Sequence, residues 1–274
     1  MENFLNLSVN TKVRIYSTVF LILGLIFLVY LGPIFFLPVA LLILILVLQE
    51  INFNFFKHVP WSLTNIKSLL FFLGLICFYE FTFVAKKLVL PITYILMVIE
   101  IYLIILVSYP KLKLKSLFKL ELFWPFYFAS LYCCFRAILQ AGNALKYLLL
   151  FLSISVSVDI MGWVVGKNFG KSKLAPRISP KKTWEGAIGG VFVCILIYVI
   201  FYYVYYNEVS WLRLFQGLVL SIIAIYGDLV QSSFKRLYSL KDSSSLIPGH
   251  GGVYDRVDGH LFVIPFFVFF LLYF

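Results

Sequence analysis

Charge is scarce in this chain. Asp, Glu, Lys and Arg together account for 13% of its 274 residues, while 62% are hydrophobic and the mean hydropathy is +0.99. A soluble globular domain carries about 25% charged residues, so that class is excluded. Histidine occurs three times and cysteine four times. Cys77, Cys133, Cys134 and Cys194 all sit in apolar segments without metal-ligand spacing, which argues against a disulfide framework and against zinc. There is no fixed-period repeat, no low-complexity stretch and no hinge setting off a soluble domain. No convincing signal-peptide cleavage site is present, so the first apolar span is expected to be retained. The basic residues fall in short loops rather than on a folded module, and no nucleic-acid partner is expected.

What the chain does have is apolar runs. Crossing about 30 Å of hydrocarbon takes roughly 20 helical residues, and runs near that length recur throughout. About nine are expected, near 14–31, 33–48, 67–82, 88–108, 121–138, 145–165, 185–206, 211–231 and 258–274. The second and third are short, and Pro33 and Pro38 are candidates to bend the second. Backbone hydrogen bonding makes these helices, since a barrel would show short alternating segments. The fold class is thus an all-α polytopic integral membrane protein. One integrated membrane domain is expected, with sparse N-terminal helices over 1–140 and a motif-bearing region over 141–274.

With a cytoplasmic N-terminus, most of the 23 Lys and Arg fall on the inside: Lys12, Arg14, Lys57, Lys67, Lys111, Lys113, Lys115, Lys119, six from Lys167 to Lys182, and Lys235, Arg236, Lys241 and Arg256. The positive-inside rule then places both motif-rich loops in the cytoplasm. The net charge of +11 is read first as this topological bias, with attraction to anionic lipid as a second contribution.

Those two loops concentrate the polar chemistry. An ionisable group at membrane depth costs about 2.5–3.5 kcal/mol even on insertion scales, so such a cluster beside a bilayer implies a charged substrate. The first loop runs from Gly166 to Gly190 and follows Asp159. Ser179-Pro180 reads as a turn, and Lys181-Lys182-Thr183 leads into the next helix with Ser179 and Thr183 as candidate caps. Two lysines beside a helix N-terminus suit phosphate. Gly186, Gly189 and Gly190 read as close-packing positions.

In the second loop Asp228, Ser232 and Lys235 are spaced to share one helix face, and Asp255 and Asp258 to share another. Between them Pro248-Gly249-His250-Gly251-Gly252 cannot be regular helix and can bring N–H groups to an anion. Asp228, Asp255 and Asp258 are expected to converge on hard cations, magnesium being the usual choice beside nucleotide phosphates. The blander alternative pairs Asp255 and Asp258 with Lys235 and Arg256. His58 and His260 have no constellation around them. Glu100 and Arg136, inside expected spans, are candidates for a mutual ion pair holding helices together.

At these residues the chain resembles the phosphatidate cytidylyltransferases, or CDP-diacylglycerol synthases. Their C-terminal motif is matched at Ser232, Phe234, Lys235, Arg236, Lys241, Asp242, Pro248 to Gly252, Asp255, Arg256, Val257 and Asp258. Their Phe-Gly-Lys and Ser-Pro-Lys-Lys-Thr-x-Glu-Gly segments are matched at Phe169 to Lys171 and Ser179 to Gly186. The close resemblance covers about 159–260. Gln231 stands where the family commonly has Glu, and Gly162-Trp163 where Ala-Tyr is usual.

The resemblance implies a nucleotidyltransferase that moves a cytidylyl group from CTP to phosphatidic acid, giving CDP-diacylglycerol and pyrophosphate for phospholipid biosynthesis. It implies magnesium, a second cation remaining open, and a homodimer; in a bacterial cell it implies the inner membrane. On this reading Lys235, Arg236, Asp255 and Asp258 are catalytic, and Asp228, Asp255 and Asp258 hold metal. Ser179, Lys181, Lys182, Thr183, Ser232, Lys241, His250, Gly251, Gly252 and Arg256 contact substrate. A CTP-dependent polyprenol or phytol kinase is the second enzymatic reading. A secondary transporter, kept open by Glu100 and Arg136, is the alternative from another class.

Overall fold

The computed structural model describes residues 16, 17, 19, 20, 23, 24, 26–28, 30–81, 89–108 and 122–274. The whole expected loop at 109–120 and the basic residues Lys12, Arg14, Lys111, Lys113, Lys115 and Lys119 lie outside them, as does part of the expected span 14–31. The described residues of 16–31 are helical. Then follow α1 (Phe36–Glu50), α2 (Leu63–Phe81), α3 (Val89–Ser108), α4 (Phe123–Gln140), α5 (Ala144–Phe169), α6 (Trp184–Tyr206), α7 (Trp211–Leu237) and α8 (Tyr254–Tyr273). A two-stranded antiparallel hairpin, β1 (Lys173–Ala175) and β2 (Ser179–Thr183), joins α5 to α6. Among the described residues, six helices are long and apolar enough to cross a membrane, and α3 contributes a shorter apolar stretch, Pro91–Ile105.

Several helix boundaries differ from the sequence expectation. The short second span is lengthened by a π turn, Ile51–Phe55, that carries α1 on to 20 residues. Asn52 is buried there, donating to Asn65 Oδ1 at 2.9 Å and Ser68 Oγ at 3.3 Å on α2, so a polar pair is satisfied inside the bundle. Pro38 sits in the first turn of α1, where a missing N–H breaks no intrahelical bond. At the far end, α7 runs six residues past 231 and α8 starts four before 258, so Ser232, Lys235, Arg236 and Asp255 are all helical.

Packing follows chain order in the C-terminal half, with α5 against α6, α6 against α7, and α7 against α8. In addition α1 and α2 pack on α4, while α3 touches α4, α7 and α8, so one continuous apolar core joins the first four helices to the last four. The α5–α6 contact is close because α6 presents glycine. A Cβ on Gly190 would lie 2.8 Å from the Val158 carbonyl oxygen, in line with the expected close-packing role.

The expected Glu100–Arg136 pair does not form. Arg136 on α4 binds Glu80 on α2 at 3.1 Å, and Tyr132 donates to the same carboxylate at 2.9 Å. Glu100, fully buried on α3, accepts from Tyr127 at 2.8 Å. At the end of the bundle formed by the C-termini of α6 and α8, Arg213 donates to both Glu208 oxygens (3.1 and 3.0 Å), to Gln216 (2.9 Å) and to the Phe274 carbonyl (3.0 Å).

Candidate active site

The hairpin is what aims the first loop. Lys173 is registered with Thr183 and Ala175 with Ser179, and Trp184 N–H donates to the Ser172 carbonyl at 3.0 Å. Glu185, in the first turn of α6, accepts from Ser172 N–H at 3.1 Å and fastens the base of the hairpin. Thr183 is the N-cap of α6, accepting from Gly186 N–H at 3.2 Å. Ser179 was the other candidate cap. It is a β2 residue instead, and the expected Ser179-Pro180 turn is strand. Held this way, Lys181, Lys182 and Thr183 line a cavity of about 210 Å³ together with Asp159 and Gly162 from α5 and Asp228 from α7.

Within that cavity Lys182 binds Asp228 at 2.5 Å, and Ser232 donates to the other oxygen of Asp228 at 3.1 Å, as one helical turn of α7 requires. Asp258 on α8 accepts from its neighbour Gly259 N–H at 2.9 Å, and its backbone carbonyl accepts from Gln231 at 2.6 Å. Asp159, Asp228 and Asp258 lie within electrostatic reach of one another, with Lys182 and Arg256 acting on Asp159.

Asp255 is placed differently. One oxygen accepts from Lys235 at 2.7 Å; the other accepts from Ser243 N–H at 2.7 Å and Gly252 N–H at 2.9 Å, with Ser243 Oγ, whose single proton is shared with Glu50, at 3.0 Å. Lys235 and two backbone N–H groups thus engage a carboxylate that is only 4% exposed, and the bond to Lys235 is the Asp255 part of the pairing in the blander reading. The expected convergence of Asp228, Asp255 and Asp258 is therefore not formed. Among the described residues no group of three or more His, Cys, Asp or Glu could hold a metal by itself. Magnesium needs less, since it takes one or two carboxylates and completes its shell with water and substrate phosphate oxygens. The hard oxygen donors of Asp228 and Asp258, with Asp159 adding negative charge, fit that requirement.

The remaining expected residues are spread more widely. Arg236 is exposed and donates to the Leu240 carbonyl at 3.1 Å; Lys241 and Arg256 are exposed. His250 Nδ1 lies 2.7 Å from Ser17 Oγ. Gly249 and Gly251 have φ of +74° and +84°, which explains why glycine occupies this turn. Sequence reasoning passed over Glu50 entirely. It sits at the end of α1, 2% exposed, and accepts from Ser244 Oγ (2.6 Å), Val253 N–H (2.8 Å), Ser243 Oγ (2.9 Å) and Tyr254 N–H (2.9 Å). A lone carboxylate closing a long apolar run was the signal that could have found it.

A second cavity of about 430 Å³ adjoins the first. It is bounded by the hairpin, α6 and α7, and its walls are almost wholly apolar, including Ile178, Trp184, Val191, Leu218 and Ile222. Leu174, Ala187 and Ile225 line both cavities.

The sequence model of the family described as "Cytidylyltransferase family" matches residues 12–274. The chain belongs to this family. Among curated relatives, a phosphatidate cytidylyltransferase of Haemophilus influenzae is 41% identical over 133 residues, 46% of each chain. One of Bacillus subtilis is 38% identical over 146 residues, covering 52% of this chain and 54% of the relative. One of Staphylococcus aureus is 41% identical over 126 residues, covering 45% and 48% respectively. The alignments thus span about half the length of the relatives they match.

Proposed function

We propose that this chain is a phosphatidate cytidylyltransferase, joining CTP and phosphatidic acid to give CDP-diacylglycerol and pyrophosphate. The observation that carries the reading is the junction of the two cavities at Leu174, Ala187 and Ile225. One is lined by lysines and carboxylates and suits phosphates; the other is apolar and suits an acyl chain, so a phospholipid can lie across both. The family membership and the names of the relatives support the same chemistry.

In the proposed step a phosphate oxygen of phosphatidic acid forms a bond to the α-phosphorus of CTP. The bond from that phosphorus to the oxygen bridging the β-phosphate breaks, and pyrophosphate departs with the electron pair. The lipid phosphate is already a nucleophile, so no covalent protein intermediate is needed. Catalysis is then positioning and charge neutralisation. Lys181 and Lys182 beside the N-terminus of α6 bind phosphate oxygens, with Lys182 exchanging its contact with Asp228 for one with substrate. Magnesium, when bound by Asp228 and Asp258, supplies further neutralisation of the triphosphate. Lys235, locked onto Asp255, presents a fixed positive charge toward Asp258.

The finer topology belongs to the same proposal: about nine spans, a cytoplasmic N-terminus, both loops on the cytoplasmic side, and a homodimer. Purified protein in detergent should convert CTP and phosphatidic acid to CDP-diacylglycerol only with magnesium, and Asp228→Asn should abolish this at equal expression. Turnover that survives chelation of divalent cations would contradict the carboxylate assignment.

A further inference from the structure

We propose that Glu50 is a positioning residue for the reaction, acting through the Ser243–Tyr254 loop on Asp255, Lys235 and Asp258. The inference rests on the cytidylyltransferase reading and assigns a role in it to the N-terminal half of the chain. Helix α8 has no side-chain cap of its own, since its N-cap is Val253. Its leading N–H groups, Val253 and Tyr254, are bound instead by the Glu50 carboxylate, from about 200 positions earlier in the sequence. A negative charge there satisfies donors that the helix cannot and complements the positive end of its dipole.

The same carboxylate reaches the opposite end of the loop through Ser243 and Ser244. Ser243 in turn donates its backbone N–H to Asp255 at 2.7 Å, so the bonds run from Glu50 through Ser243 to Asp255 and on to Lys235. Gly252 is enclosed by this arrangement. A Cβ at that position would lie 2.6 Å from each Glu50 oxygen and collide with Ser243 Oγ. The second glycine of the Gly-Gly pair is therefore required by Glu50, although its own φ is not in the left-handed region.

Substitution by glutamine keeps the shape but replaces one acceptor oxygen with an amide NH2. The serine hydroxyls can turn to suit it; the fixed N–H of Val253 or Tyr254 cannot. The register of Asp258, one turn further along α8, then loosens. A displacement on the order of 1 Å at a reacting centre costs roughly a hundredfold in rate.

The test compares wild type, Glu50→Gln and Glu50→Asp for steady-state turnover of CTP and phosphatidic acid, alongside amide hydrogen exchange over residues 243–254. For Glu50→Gln, kcat should fall roughly ten- to hundredfold with KM for CTP unchanged. Exchange should quicken at Ser243, Val253 and Tyr254 alone, and Glu50→Asp, which keeps both acceptors, should recover part of the rate. An unchanged kcat in Glu50→Gln overturns the inference and leaves the function standing. So does a rate loss accompanied by faster exchange throughout the bundle, which marks a purely structural role. Wild-type protein that makes no CDP-diacylglycerol overturns the functional reading itself, and the inference with it.

Discussion

Gly252 shows how one missing side chain can govern a site. The space that a Cβ would need is occupied by Ser243 and the Glu50 carboxylate. Gly252→Ala should push Glu50 off the start of α8, and turnover should fall by about a hundredfold, read as kcat in purified protein. An alanine variant with wild-type kcat would mean that this packing has slack. Lys182 and Asp228 form the complementary case, because their ion pair lies inside the charged cavity rather than beneath it. Lys182→Met should raise KM for CTP about tenfold or more, the loss of one charge-assisted phosphate contact. An unchanged KM would place the nucleotide elsewhere. The motif residues were legible in the sequence, but their partners were not. Spacing along a helix announces Asp228 with Ser232; it cannot announce Asp255 with Ser243 across a loop, or Glu50 with Tyr254 across the fold.

The helices were easier to read than their ends. Apolar runs located α1 to α8, whereas α1 continues past its run through a π turn in which the polar Asn52 is buried and bonded to Asn65. The β1–β2 hairpin was missed because Ser179-Pro180-Lys181-Lys182 has neither strand alternation nor a β-branched core. Its pairing comes from the register with Lys173 and Ala175 and from the Glu185 contact at its base. Between α6 and α7, the hydrogen bonds from Arg213 hold the Glu208 carboxyl below its ordinary range, with partial desolvation opposing. A lowered folded value means that the stabilisation is present above the unfolded pKa of about 4.3 and is lost as pH falls through the folded value. Glu208→Gln should accordingly melt below wild type at neutral pH, with the gap closing in acid; a gap that persists or widens in acid would assign the difference to packing.

Taken together, the helices make an asymmetric object. Lys181 and Lys182 of the hairpin meet Asp159 of α5 and Asp228 of α7 in one cavity, and the apolar cavity opens beside it between the hairpin, α6 and α7. That arrangement explains why a family pattern can be strongly marked over about 159–260 while the first half of the chain reads only as hydrophobic spans. The early helices shape and brace the site, and α1 reaches it with a single carboxylate. Filling the apolar cavity should then separate the two substrates. Ile222→Trp, on its wall, should raise KM for phosphatidic acid several-fold and leave KM for CTP unchanged, since overpacking acts on the acyl chain alone. Equal changes in both constants would indicate a general distortion. The most direct test of the central claim supplies the protein with phosphatidic acid, magnesium and CTP labelled at either the α- or the γ-phosphate. The account predicts that α-label enters the lipid as CDP-diacylglycerol and γ-label leaves as pyrophosphate. Entry of γ-label into a lipid product, with the α-label retained on a soluble nucleotide, would instead mark a lipid kinase and contradict it.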